Sequence, residues 1–401
     1  MWVIESTNCR TIDGYGDVTG LSSPVCLSGR VGLQPRGWGG DPVEPRPAER
    51  GKRLLIREMG STFMATPGQS GPSALAPFRI APRFVGRVWG FEDLRPWYDR
   101  VAVGGEPIGE VWLTGDDCLV ATGLHAGETL GSLFAEQSES LLGKAAPSGG
   151  SPLLIKVIFA REKLSVQVHP DDQLARKYGQ PRGKTECWYV LAADAGAEVA
   201  VGLNPGVTLA MIEKGIQSGT LEESLAMLPV AAGEMVYVDA GTVHAIWPGS
   251  ILLETQQNCD LTYRMYDYGR GRELHIEKSI EATRLTTRAG KAWALALKDR
   301  TILVDEQYFR VERIAVDGSR TRASLEGKNV PVSGLAYLFA AAGSASIASP
   351  SNRFDPVHLP PRGIVAIPAA APEFIVQNLG GLDLIRITPN WPEEMPGVGN
   401  G

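Results

Sequence analysis

Between residues 153 and 188 the chain reads LLIKVIFAREKLSVQVHPDDQLARKYGQPRGKTECW. The apolar run Leu153–Phe159 predicts a buried strand, and Leu164–His169 predicts a second strand with alternating residues. A period of two places Ser165, Gln167 and His169 on one face of that strand. Pro170 ends it, because proline has no N–H for the ladder. A short helix is expected over Asp171–Tyr178, then a Gly/Pro loop. A further strand opens near Lys184, with Lys184, Glu186 and Trp188 sharing a face. Polar and ionisable groups facing inward from apolar strands are costly unless paired or bound to metal. That conflict marks the candidate site.

The same patterning places packed structure from about Pro82 onward. Strands are expected at Glu110–Leu113, Trp188–Ala193, Glu198–Gly202, Met235–Val238, Ile251–Thr255 and Thr262–Tyr268. Helical spacing appears over Leu130–Leu141, Thr208–Gln217, Thr220–Leu228 and Glu277–Thr283. Residues 301–316 and 330–391 look all-β, with Gly, Pro and Asn at the turns. Many short strands with few helices predict a mainly β protein of two jelly-roll barrels rather than a parallel βαβ sheet. The expected division is a metal-binding catalytic domain over 79–299, a degenerate metal-free barrel over 300–391 and a tail over 392–401. Residues 1–78, rich in Gly, Pro, Arg and Ser without a sustained period, predict a disordered extension. The natural start would then be Met59 or Met64.

Hydrophobic content of 43% and charged content of 21% over 401 residues describe an ordinary globular protein. The net charge of −6 argues against nucleic acid or an anionic membrane as partner. The five cysteines (Cys9, Cys26, Cys118, Cys187, Cys259) are scattered, odd in number and without a CxxC pair, which suits a reducing, cytoplasmic setting. No apolar run approaches the roughly 18–20 residues of a membrane helix, and the N-terminus has no apolar core of signal-peptide type.

GEMVYVDAGTVH (Gly233–His244) resembles the second metal-binding motif of the cupin superfamily, with Asp239 where proline is usual. Together with Gln167, His169 and Glu186 on neighbouring strands, His244 completes a mixed nitrogen and oxygen donor set. It suits Zn²⁺, or less exclusively Mn²⁺, Fe²⁺ or Co²⁺. His125, His275 and His358 lack such company and read as surface or core residues. In the second barrel, GIVAIPAAAPE (Gly363–Glu373) echoes the motif, with Glu373 near the place of its histidine.

Four blocks in order, LSVQVHPDD (Leu164–Asp172), GKTECWYVL (Gly183–Leu191), AGTVHAI (Ala240–Ile246) and LLETQQNCDLTYRMYDYGR (Leu252–Arg270), resemble type I phosphomannose isomerases of the short bacterial branch. RVWG (Arg87–Gly90) and GEVW (Gly109–Trp112) are similar to that family's N-terminal blocks. The resemblance spans about residues 82–391. It implies an enzyme with one Zn²⁺ per chain that interconverts D-mannose 6-phosphate and D-fructose 6-phosphate, as a monomer or small homo-oligomer. Carried over residue by residue, it implies metal ligands Gln167, His169, Glu186 and His244. Lys184, Glu254 and Arg264 would be catalytic, and Ser165 and Arg270 would hold the phosphate.

Aldose–ketose isomerisation needs a base for a carbon-bound proton, stabilisation of an enediolate oxygen and a grip on the phosphate. Lys184, close to the cation, is expected to have a lowered pKa and act as acid or base. Glu254 is the rival base, and a metal-bound water is a third. Arg264 offers a planar fork to the enediolate or the phosphate. An Fe-dependent bicupin oxygenase and a non-catalytic sugar-phosphate-binding bicupin are the competing classes. The oxygenase leaves Lys184, Glu254 and Arg264 without a role, and the binding protein predicts damage to an intact donor set.

Overall fold

The computed structural model describes residues 75–102, 104–144, 150–326 and 334–390. The proposed starts at Met59 and Met64 and the 392–401 tail lie outside them. The first ten strands are β1 (Phe78–Ile80), β2 (Arg83–Phe91), β3 (Ile108–Trp112), β4 (Leu153–Phe159), β5 (Val166–Val168), β6 (Glu186–Ala193), β7 (Glu198–Leu203), β8 (Leu225–Pro229), β9 (Met235–Val238) and β10 (His244–Ile246). There follow β11 (Ser250–Gln257), β12 (Tyr263–Tyr266), β13 (Gly290–Lys291), β14 (Leu295–Ala296), β15 (Arg300–Asp305), β16 (Phe309–Ile314), β17 (Ser319–Thr321), β18 (Ala336–Ala348), β19 (Val357–Leu359), β20 (Ile364–Ile367) and β21 (Ile375–Pro389). The helices are α1 (Leu130–Leu142), α2 (Asp172–Lys177), α3 (Leu209–Ser218), α4 (Ile276–Ala282) and α5 (Arg322–Glu326). None is long and apolar enough to cross a membrane.

Three antiparallel sheets form the layers. A seven-stranded sheet runs β13-β9-β6-β11-β4-β3-β2, a five-stranded one β12-β5-β10-β7-β8, and a nine-stranded one β1-β20-β18-β21-β16-β15-β14, with β17 and β19 attached to β21 and β18. The seven-stranded sheet is covered on both faces. Trp188, Val190, Leu252 and Ile158 pack against Val199, Ile246 and Leu164 of the five-stranded side. Ile155, Val157, Tyr189 and Leu253 pack with Phe309, Tyr337, Phe339 and Ile385 of the nine-stranded sheet. Double coverage explains why β4 reads as a continuous apolar run and not as an alternation. The outer face of the five-stranded sheet is covered by α3, α4 and Leu221.

The double jelly-roll expectation holds, with local corrections. Thr220–Leu228 is not helical: α3 stops at Gly219, left-handed at φ 75°, a 3-10 turn follows over Leu221–Ser224, and β8 then pairs with β7. An open sheet edge overrode a weak helical period there. The strand expected at Leu164–His169 shortens to Val166–Val168, and the one expected from Lys184 starts at Glu186. Packed structure begins earlier than Pro82. Leu75 is buried, and β1 (Phe78–Ile80) pairs with β20, so the first strand joins the sheet of the C-terminal barrel.

Candidate active site

The site lies between the five- and seven-stranded sheets, and strand register assembles it. On the five-stranded side His244 stands opposite Gln167, and Gln167 stands opposite Arg264 on its other flank. On the seven-stranded side Glu254 is flanked by Lys156 and Trp188, and Gln256 pairs with Glu186. Two glycines close the loops between them. Gly241 (φ 90°) donates its N–H to the His169 carbonyl at 2.8 Å, which ties the two histidine segments together. A Cβ on Gly183 would meet the backbone of Asp171 at 2.4 Å, so only glycine lets the chain enter as close to α2. Lys184 N–H then bonds to the Pro170 carbonyl, and the lysine turns inward. Asp239, the departure from the cupin pattern, stabilises the same turn by accepting from the Thr242 hydroxyl at 2.9 Å.

His169, Glu186 and His244 bring their donor atoms within 4.8 Å of one another, all buried. The tautomers follow from the partners. His169 Nδ1 lies 2.9 Å from the Leu261 carbonyl and His244 Nδ1 lies 2.9 Å from the Thr242 carbonyl. A carbonyl only accepts, so each Nδ1 carries the proton and each Nε2 is left as an acceptor, within reach of the Gln167 side-chain NH2. Those acceptors stand 3.6 and 3.4 Å from the Glu186 oxygens, which receive no hydrogen bond. Acceptors facing acceptors in a buried pocket are repulsive unless a cation lies between them, so this donor set could hold a metal ion. The Gln167 amide reaches both Nε2 atoms, at 3.4 and 3.1 Å, and its Oε1 accepts from the Ser165 hydroxyl at 3.3 Å.

Burial holds His169 well below the usual histidine range, aided by Lys184 and by His244 itself. Burial also lowers His244 to about 4, against the pull of the Thr242 carbonyl and with Lys184 assisting. The unfolded chain therefore takes up protons first as the pH falls. The two histidines' contribution to the stability of the metal-free protein is full above pH 6.5 and is lost as the pH falls below it, down through about 4 for His244 and further for His169. Urea unfolding with chelator across that range would show it, and a flat profile would contradict the buried neutral imidazoles.

Beyond the histidines runs an alternating chain of charge. Lys184 Nζ is 3.2 Å from Glu186 and 3.9 Å from Glu254. Lys156 Nζ is 3.0 Å from Glu254 and 3.6 Å from Glu110, which in turn pairs with Arg87 at 2.8 Å. Trp188 Nε1 donates to Glu254 and Trp112 Nε1 to Glu110. Burial and the nearby Glu186 raise the Glu254 carboxyl above its ordinary value, against Lys156 and Lys184. Burial also acts to raise Glu110, but Lys156, Arg87 and the Trp112 bond outweigh it and bring it to about 2.

These groups open onto a cavity of about 480 Å³ lined also by Ser165, Gln167, Arg264 and Arg272. Arg264 donates to the Glu273 carbonyl at 2.8 Å, and its buried Nε has no partner. Its backbone N–H bonds to His275 Nδ1 at 3.2 Å, so His275 supports the arginine strand. Of the sequence candidates, Gln167, His169, Glu186, His244, Lys184, Glu254, Arg264 and Ser165 converge. Arg270 does not reach the cavity wall. Its guanidinium lies over Tyr268 at 5.0 Å and donates to the Lys163 carbonyl. Arg272, clamped on Asp267, lines the cavity in its place. Sequence reasoning missed Lys156, Glu110, Arg87 and Arg272. The signal for Lys156 was a charge in the middle of LLIKVIF. Glu373 of the second barrel is exposed.

Comparison with known proteins decides the family. The chain is 38% identical over 248 residues to the mannose-6-phosphate isomerase of Streptococcus mutans, covering 58% of this chain and 77% of that protein. The chain belongs to the type I phosphomannose isomerases. The catalytic-domain model of that family matches residues 96–209. Mannose-6-phosphate isomerase ManA of Bacillus subtilis is 38% identical over 216 residues, 51% of this chain and 67% of its own length. The crystal structure of the Bacillus subtilis mannose 6-phosphate isomerase superposes with TM-score 0.68 at 27% identity, over 79% of this chain and all of that one. As a phosphomannose isomerase, this chain is an aldose–ketose isomerase.

Proposed function

We propose that this isomerase interconverts D-mannose 6-phosphate and D-fructose 6-phosphate through an enediol, with Zn²⁺ held by His169, Glu186, His244 and Gln167. The observation that carries the reading is the buried cluster in which the His169 and His244 Nε2 acceptors face the Glu186 carboxylate, beside a buried acid–base chain. Bound there, zinc would polarise and orient the sugar's O1 and O2. Glu254, raised by burial, is the base we assign to the C2 proton of the open-chain aldose. Lys184, 3.9 Å from it, gives a proton to O1 as the C1–O double bond becomes single. The resulting enediol carries hydroxyls on C1 and C2. Return of the proton to C1 and loss of the O2 proton to Lys184 leave the ketone at C2. Arg264, with one unpartnered buried nitrogen, stabilises negative charge growing on the sugar oxygens. Ser165 and Arg272 on the cavity wall, in place of Arg270, are assigned to the phosphate.

The cysteines Cys118, Cys187 and Cys259 are free and buried, in keeping with the cytoplasmic setting we propose. The test of the function is a coupled assay for fructose 6-phosphate from mannose 6-phosphate before and after chelation. Turnover should vanish with chelator and return with zinc. A folded, zinc-loaded protein without turnover on this sugar would overturn the assignment.

A further inference from the structure

Glu186 opens β6, but residues 182–185 before it lie in no helix or strand. This segment carries Lys184 to the cavity and aims Glu186, so its backbone groups need partners from elsewhere. Lys184 N–H finds the Pro170 carbonyl, and its two neighbours depend on side chains. Gly183 N–H donates to Asp172 Oδ1 at 2.7 Å, and Thr185 N–H donates to Gln257 Oε1 at 2.9 Å. Gln257 donates its own amide to the same Asp172 oxygen at 2.9 Å. One carboxylate thus anchors Gly183 directly and Thr185 through a glutamine. Its other oxygen, Oδ2, accepts the Tyr308 hydroxyl at 3.0 Å. Tyr308 comes from the C-terminal barrel, in the turn between β15 and β16. Asn390, just past β21, fixes that turn by donating its N–H to the Tyr308 carbonyl at 2.9 Å and its amide to the Glu306 carbonyl at 2.7 Å. Burial and the Asp172 charge raise the Tyr308 hydroxyl above its ordinary value, so it stays protonated and donates.

We propose that Asp172 is a positioning residue for the isomerisation and that Tyr308 sets it, so that the C-terminal barrel holds Lys184 and Glu186 in place, given the roles proposed above for those two residues. Three donors converge on one carboxylate, and such charge-assisted bonds are the strong ones. Together they fix the start of α2, the end of β11 and the segment 183–185 relative to one another. Lys184 Nζ stands 3.2 Å from Glu186, and Glu186 stands 3.6 and 3.4 Å from the two histidine nitrogens. A displacement of about 1 Å remote from the chemistry can cost about 100-fold in rate. Ser165 and Arg272, assigned to the phosphate, bond instead to Gln167 and Asp267 and share none of these contacts. The relay therefore acts on turnover and on the donor set, and not on the grip on the phosphate.

Tyr308→Phe removes one hydroxyl and keeps the ring. In the full chain it should lower kcat about tenfold, leave KM for mannose 6-phosphate near its native value, and weaken Co²⁺ binding to the metal-free protein by a similar factor, read from visible absorbance. Asp172→Asn sets an amide NH2 among three donors and should cost up to about 100-fold in both kcat and Co²⁺ affinity. Because Tyr308 acts through Asp172, the double variant should lose no more than Asp172→Asn alone. Tyr98→Phe is the control. It removes a different bond between the barrels, Tyr98 to the Arg362 carbonyl at 2.9 Å, and should leave kcat and Co²⁺ affinity unchanged. A native value of either quantity in Tyr308→Phe overturns the proposal, even where its Tm falls, since a packing contact alone predicts that pattern. So do losses that add in the double variant, or losses that Tyr98→Phe reproduces. Co²⁺ binding is read without sugar, so it decides the relay even in a chain that fails to turn over mannose 6-phosphate, a failure that counts against the assigned function alone.

Discussion

Lys156→Met should lower the unfolding free energy by about 3–5 kcal/mol at neutral pH, the usual cost of leaving a buried charge without its partner. The lysine sits on β4 between Glu110 and Glu254, at 3.6 and 3.0 Å, and is only 3% exposed. Methionine fills most of the volume, so the loss reports charge and not a cavity. Glu110 then keeps Arg87 at the cavity wall, while Glu254 keeps only the more distant Lys184. Without the lysine, the Glu254 carboxyl rises further, and the acidic limb of the activity profile should move to higher pH. Urea denaturation measures the first effect, and the pH dependence of kcat/KM measures the second. Adding Glu254→Gln to the lysine variant should recover part of the stability, because it removes the orphaned charge. A single variant within 1 kcal/mol of the native chain would mean that the buried chain of charges is not what holds β3, β4 and β11 in place.

Arg264→Ala should cost about 3–4 kcal/mol of transition-state stabilisation, roughly a several-hundred-fold loss in kcat/KM, with bound zinc retained. The arginine faces the cavity from β12 with an unpartnered buried nitrogen, and it is placed by Gln167 across the ladder and by His275 behind it. Burial already lowers its pKa, so the guanidinium is poorly solvated and poised for an anion. Arg264→Lys should recover little, since a single ammonium cannot reproduce the planar fork. Near-normal turnover in the zinc-loaded alanine variant would remove Arg264 from the reaction and leave Arg272 as the cation to examine.

The linear pattern and the three-dimensional ladder supply different kinds of information. Gln167-x-His169 and Lys184-x-Glu186 were legible because period two is a local property. Any extended segment sets i and i+2 on one face, whatever surrounds it. The pairing of these segments with His244 and Glu254 was legible through the blocks that resemble the isomerase family, and the structure brings those residues together. Lys156 escaped because an apolar run buried on both faces shows no alternation. Which neighbour a mid-strand lysine meets depends on the β3–β4–β11 register, and that is fixed only when the sheet forms. Arg270 and Arg272 are likewise one period apart. Tyr268, Gly269 and Gly271, at φ 56°, 75° and 76°, break the extended run after β12, so period two no longer holds there, and Arg272 and not Arg270 lines the wall. By itself the sequence indicated the class of fold through residue type and local periodicity, and the donor set and acid–base candidates through the blocks that resemble the isomerase family. Only the tertiary structure decided the histidine tautomers, the charge chain through Lys156 and Glu110, the arginine that faces the cavity, and the place of β1 in the far sheet. All of these depend on which distant backbone groups and side chains come within a few ångströms of one another.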